Sequence, residues 1–394
     1  MRSVTVMVPT APWSSPHRPL FASAAGFAAL AVPVWALAYA GLASAPLPPW
    51  WHGHEMVFGY GLAVVAGFLI TRCSVAAGAC VYAVWIAGRI APLLGGDGTV
   101  LGAVVALAFP AALFLMAGRR FAKAARSGDN LVFAPLIAAF TLAEATFQLG
   151  ALGIVADADW RGLLFGINLL DLLMFAMGGR IIAAATSGVL QRQGLHLHGL
   201  ATARQERLGV IALVVVIVSD LWPVLWPASA LSGLLAAIVV GVRLRRWRPW
   251  RMTAAADVLA LQAGYAWLAV GLVAKAAAAA GLWLAMADAL HVLTIGALGT
   301  LTATMMVRTT LQRHRRPVRL SPAACLALGL ISLAVPLRLL AAVPEVREGA
   351  ILTSAAAWGA GMAIVALLIV TMTPAAAADG VGRQRKPAAR SDGT

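Results

Sequence analysis

The sequence predicts an all-α fold: a polytopic membrane bundle of about twelve transmembrane helices with both termini on the cytoplasmic side. Three observations carry this. The first is composition. With 61% hydrophobic residues, 11% charged residues and a mean hydropathy of +0.86, the 394-residue chain has too little polar surface to cover a soluble globule of its size. The second is segment length: cut at its charged and Pro/Gly-rich breaks, the chain falls into twelve apolar runs, each near the ~20 residues that cross a bilayer as a helix. The third is the placement of positive charge, which stays on the cytoplasmic side. With the N-terminus inside, 24 of the 30 lysines and arginines fall in cytoplasmic segments. The outer side holds Arg89, Arg161 and Arg347, and Arg180, Lys275 and Arg338 lie within helices. A missed span would scramble this alternation.

The expected spans are 19–41, 52–71, 75–94, 99–118, 131–153, 162–188, 208–225, 228–243, 256–280, 282–307, 321–343 and 350–372. The second begins after Pro48 and Pro49 and ends at Arg72. Trp222, Pro223, Trp226 and Pro227 interrupt the seventh and eighth. No connection is long enough to bury a core of its own, so residues 19–373 form one domain. Residues 1–18 are a cytoplasmic segment without the n-region and short h-region of a cleaved signal, and 374–394 are a small, polar, basic tail expected to be disordered. Cys73, Cys80 and Cys325 form no CxxC pair and read as small packing residues at cytoplasmic helix ends.

The net charge of +15 and pI near 11.3 follow from topology. The basic loops, Arg243 to Arg251 among them, face anionic lipid, and the expected partner is the bilayer of an inner membrane, with no nucleic acid. His196 and His198, between Arg192 and Arg204, read as solvated.

Chemistry is carried by polar residues inside apolar spans. Glu55, Glu144, Asp171, Lys275, Asp288 and Arg338 would each cost about 2.5–3.5 kcal/mol in lipid, on the order of 15–20 kcal/mol together, so they must face the bundle interior, a cavity or the interface. By depth, His52, His54, Glu55, Glu144, Gln148, Lys275, Asp288, His291 and Arg338 lie in the outer half, with Asn168 and Asp171 near the middle. That bias predicts a polar or metal-bearing pocket opening outward. At about 100° per residue, His52 and His54 are some 200° apart on a helix and share a ligand only if the segment is not yet helical. His52 with Glu55, and Asp288 with His291 and Thr294, share faces, so a carboxylate one turn away could hold a histidine's second ring nitrogen. Gly59, Gly61, Gly296 and Gly299 leave room for a flat cofactor or let helices approach closely. Lys275 and Asp288 flank a short turn and can pair. The segments HEMVFGYG (from His54) and HVLTIGALG (from His291) echo one another, each with a glycine five residues after a histidine.

The segments WHGHEMVFGYGLAVVAGFLITR, GGRIIAAATSG, LQAGYAWLAVGL and HVLTIGALGTLTATMMVR, in this order, resemble the NnrS family of bacterial membrane proteins associated with the response to nitric oxide. The resemblance spans Arg18 to about Arg316. It implies about twelve helices, haem and copper as bound metals, and a role in nitric oxide metabolism or nitrosative-stress protection, with nitric oxide or another small ligand as partner and the electron donor unknown. It transfers the family's histidine motifs to His52, His54 and His291, with Glu55 beside the first pair and Arg180 in the GGR motif. The chain departs from the family at Gln262, where many members have histidine. It departs again after Arg308, where His314 stands among arginines in place of a Gly-His-Thr-Gly pattern. A single haem, or one metal only, fits these departures better than a full pair of metals. By fold-level analogy with subunit I of haem–copper oxidases, which draws haem ligands from its second and tenth helices, His54 or His52 would pair with His291 across one iron.

Other readings use the same residues differently. Met174/Met177 and Met305/Met306 could ligate copper as soft thioethers, but filling helix contacts is the better reading of them. Trp50, Trp51, Trp160 and Trp283 suit interface anchors. A secondary transporter of a small solute or metal ion would be favoured by half-to-half repeats or broken helices around Asp171. A cofactor-free accessory protein would use the histidines only to hold helices together.

Overall fold

An apolar run in lipid can satisfy its backbone only within itself, as an α-helix, and the computed structural model is helical where the sequence is apolar. It describes residues 12–44, 47–48, 50–96, 98–118, 133–195, 202–282 and 284–372. The basic stretch from Arg119 to Arg126, His196, His198, Trp283 and the tail from Pro374 lie outside the described residues. Twelve helices follow in order: α1 His17–Tyr39, α2 Trp51–Leu69, α3 Val75–Ile90, α4 Val100–Gly118, α5 Phe133–Ala151, α6 Ala158–Arg192, α7 Ala203–Ser219, α8 Trp226–Trp247, α9 Ala256–Ala279, α10 Met286–Arg313, α11 Pro322–Leu339 and α12 Arg347–Thr371. Among the described residues, nine of these are long and apolar enough to cross a membrane; α2, α3 and α7 complete the alternation. The chain is a multi-pass membrane protein.

Local chemistry sets several boundaries. Ser74, Thr99, Thr202 and Ser321 each accept a hydrogen bond from the backbone N–H three residues on, satisfying a donor that the first turn of α3, α4, α7 or α11 leaves open. Pro322 then occupies the first turn of α11, where its missing N–H is harmless.

Packing places α1 against α12 and α2, α11 against α12, α5 against α6, and α7, α8, α9 and α10 each against the next. At the centre stands α6. With 35 residues it is about 52 Å long, well beyond the ~30 Å hydrocarbon core. Of its apolar window 89% is buried, against 72% for α10. It touches both α2 and α10, so these three form the inner frame.

Two departures from the expected helices matter. Residues Glu55–Gly61 of α2 and Val292–Gly299 of α10 are wound as π-helix, with hydrogen bonds to the fifth residue back. Three charges also lie deeper than expected. Arg243 and Arg308, counted with the cytoplasmic loops, are buried inside α8 and α10, paired with Glu206 at 2.6 Å and with Asp257. Arg89, counted on the outer side, is buried in the last turn of α3.

Candidate functional site

The sequence groups its polar membrane residues into one pocket; the structure divides them into three sites at the same end of the bundle. Because α2 is already helical at Trp51, His52 and His54 point in different directions.

The first site is built on His52. Its ring packs on Trp35 of α1, with centroids 3.8 Å apart, and faces His291 of α10 at 6.0 Å with ring planes 17° apart. His291 Nδ1 lies 2.6 Å from the Ala287 carbonyl. A carbonyl only accepts, so Nδ1 carries the proton and Nε2 keeps the lone pair, the form in which an imidazole binds a metal. The two rings look into a cavity of about 370 Å³ enclosed by α1, α2, α6, α10, α11 and α12. Its wall is mainly aliphatic and aromatic, including Trp35, Met56, Leu163, Leu290 and Trp358, with Tyr60, Thr294, Ser354 and Arg338 as the polar groups beside the histidines. Arg338 Nη1 bonds Asp288 Oδ1 at 2.8 Å. This corrects two expectations. Asp288 holds Arg338 and not the His291 ring, and it is not the partner of Lys275.

The second site is closed. His54 is buried with Nδ1 3.1 Å from Glu55 Oε1 and Nε2 3.0 Å from Glu144 Oε1. Gln148 donates to Glu144 at 2.8 Å, and Arg89 Nη1 pairs with Glu55 Oε2 at 2.8 Å. With both ring nitrogens held by carboxylates and the ring against Phe147 at 4.4 Å, His54 does not turn to the His52/His291 cavity. Glu55 therefore serves His54 and Arg89, not His52. Gly59 makes the pairing possible, since a Cβ there would overlap Arg89 Nη1.

The third site lies between α6, α7, α8 and α9. Lys275 Nζ pairs with Asp220 Oδ2 at 2.5 Å and also reaches Asn168 Oδ1. Asn168 and Ser229 donate to Asp220 at 2.7 and 2.5 Å. Asp171, one turn further along α6 and 1% exposed, has neither carboxyl oxygen in a hydrogen bond within the protein. Asp220, unnamed in the sequence reading, and Arg89, placed there on the outer side, are the charges of these clusters that sequence does not bring to them. Both fall inside expected spans, and that was the available signal.

The remaining candidates stand apart. Gln262 is buried and donates to Thr186 at 2.9 Å, on the half of α9 away from the cavity. Arg180 is exposed, its guanidinium 5.1 Å above the Phe133 ring. The glycines named as cofactor room are contact points: a Cβ at Gly296 would meet Trp267, and one at Gly299 would meet Trp358. His314 stands 6.4 Å, ring to ring, from His17 at the opposite end of the bundle from the cavity. Among the described residues, no three histidine, cysteine or carboxylate side chains converge as a metal-binding group. A pair of imidazoles on facing helices is what the first site offers.

A family model covers nearly the whole chain. The model described as NnrS protein matches residues 11–374. The chain belongs to the NnrS family. The match runs from before α1 to past the end of α12, so all twelve helices belong to the family's fold. A search of curated proteins returns no match.

Proposed function

We propose that this NnrS protein is a haem protein of the bacterial inner membrane, that His52 and His291 hold the iron, and that it acts in nitric oxide metabolism or protection from nitrosative stress. One observation carries the reading: the 6.0 Å between the His52 and His291 ring centroids. Two imidazoles bound on opposite sides of one metal through bonds of about 2 Å have centroids roughly 6 Å apart. A cavity of about 370 Å³ is also within the usual range of small-molecule sites, roughly 300–1,000 Å³.

Bound haem supplies an iron centre that exchanges electrons and takes small ligands. The chain's own residues do the rest. The Ala287 carbonyl fixes the His291 tautomer, and Trp35 packs on the His52 ring and holds it in place. Trp358, Leu163 and Leu290 keep water from the wall. Arg338 is the cation that would meet the acidic edge of the macrocycle. His52 and His291 would hold the iron from facing helices, and the chemistry it would supply there is electron exchange and the binding of small ligands. A copper ion on the same two imidazoles is the other loading of this site.

The transporter reading gains no support at Asp171, where α6 runs unbroken. The deciding experiment is a visible spectrum of detergent-purified protein, oxidised, dithionite-reduced and then exposed to nitric oxide, with iron and copper analysis. A Soret band is expected, lost in His52→Ala and in His291→Ala and retained in His54→Ala. A haem spectrum that survives the double His52/His291 substitution would overturn the assignment. So would the absence of both metals from protein made with both supplied, and the histidines would then be helix contacts of an accessory protein.

A further inference from the structure

Below the His52/His291 cavity lies a second, smaller one, about 110 Å³ in volume, between α2, α6, α9 and α10. None of its lining residues is exposed; Val64, Leu170, Ile182, Leu261, Leu298 and Leu301 are among the buried half of the lining, and the other half is half-buried. The wall is built from four helices, and half of its residues keep some exposure.

Its chemistry is almost uniform. Thr302 supplies the single side-chain hydroxyl, and that hydroxyl is already engaged: it donates to the Leu298 carbonyl and accepts from Tyr60 Oη at 2.5 Å. A water molecule needs two to four polar partners to settle in a buried space, and an apolar cavity of this order of size stays dry and takes xenon or a small hydrocarbon. Three polarisable thioethers, Met174, Met177 and Met305, line it and strengthen dispersion contact with such a guest.

Its position gives the site a use. Leu298 lines both cavities, and Tyr60, which lines the upper one, reaches the lower one through its bond to Thr302. One layer of side chains separates the two spaces.

We infer that the lower cavity is a binding site for one small, neutral, apolar molecule of gas size, held one side-chain layer from the His52/His291 cavity. A full acyl chain does not fit within it, since a volume near 110 Å³ holds only a few methylene groups. The site itself needs nothing from the haem reading. Only its service as an antechamber, keeping an apolar ligand concentrated next to the histidine pair, rests on that reading.

The test is xenon pressurisation of crystals of the full-length protein, with the gas located by its anomalous scattering. A peak is expected among Met174, Leu298 and Leu301, and is lost in Leu173→Trp, which fills the space from α6. Met177→Phe fills it from the same helix if the tryptophan variant does not fold. Xenon confined to the upper cavity or the lipid face would overturn the inference, as would an ordered lipid or detergent chain in the lower cavity, or a peak unchanged in a folded filling variant. Haem content does not enter this readout, so a failed spectrum and an absent xenon peak remain separate results.

Discussion

Removing the ammonium of Lys275 tests whether the α6–α9 cluster is held by charge. Lys275 and Asp220 have side chains 3% and 2% exposed and lie 2.5 Å apart. Lys275→Met keeps the length of the side chain and deletes the charge. The Asp220 carboxylate is then left in the apolar interior with two neutral donors, Asn168 and Ser229. Breaking a buried ion pair from one side costs about 3–5 kcal/mol, and the two surviving donors put this case near the lower end, about 3 kcal/mol. Melting shifts shrink with chain length, and at roughly 1–2 °C per kcal/mol for a chain this long the midpoint should fall by about 3–6 °C. The double variant Lys275→Met/Asp220→Asn removes both charges and should recover most of that loss, because a neutral amide among neutral partners no longer needs a counter-charge. Tryptophan-fluorescence melts of the four proteins in one detergent close the cycle. The electrostatic account fails if Lys275→Met melts within a degree of the parent, or if the double variant melts no higher than the single one.

Gly59→Ala should lower the melting midpoint by an amount set by about 1–3 kcal/mol of overpacking, since the added Cβ must displace Arg89 from Glu55; in an Arg89→Ala background the same substitution should be nearly silent. Asp171→Asn should leave stability unchanged or raise it, because the carboxyl it replaces makes no hydrogen bond within the protein; a clear drop in the melt would show that an ionised carboxylate is required there. His54→Ala should cost several degrees of stability by leaving Glu144 and Glu55 short of a partner, while the visible spectrum of loaded protein stays that of the parent.

The helical bundle could be read from the sequence because lipid leaves the backbone few choices. Apolar length and the arginine alternation then determine the count. The grouping of polar residues could not be read in the same way. Depth along a helix is visible in sequence, and depth alone puts His52, His54, Lys275 and Asp288 together. Azimuth is not visible across helices: Lys275 turns to Asp220 on α7's end, Asp288 to Arg338 on α11, and His54 to Glu144 on α5. Charge placement failed at helix ends for a related reason. Topology alone places Arg243 and Arg308 in cytoplasmic segments and Arg89 on the outer side, yet each has a carboxylate on a neighbouring helix that makes burial tolerable.

The faint echo between the two histidine segments has a structural counterpart that no periodicity argument reveals. Both segments leave the α-helical register just after the histidine region, at Glu55–Gly61 and at Val292–Gly299. A π-turn carries one more residue than an α-turn, so it rotates every side chain below it relative to those above. On α2 this lets the first turn aim His52 into the cavity while Tyr60 still lines the same space from below. On α10 it lets His291 and Leu298 line that cavity while Leu301 and Thr302 reach the smaller one beneath. Such a winding forfeits regular hydrogen-bond geometry, and glycines sit within both segments, where bulky side chains would crowd the widened turn and the helices packed against it. Irregular winding on the two histidine helices, facing each other across one cavity, is the expected mark of a site whose side-chain directions matter more than the stability of the helices that carry them.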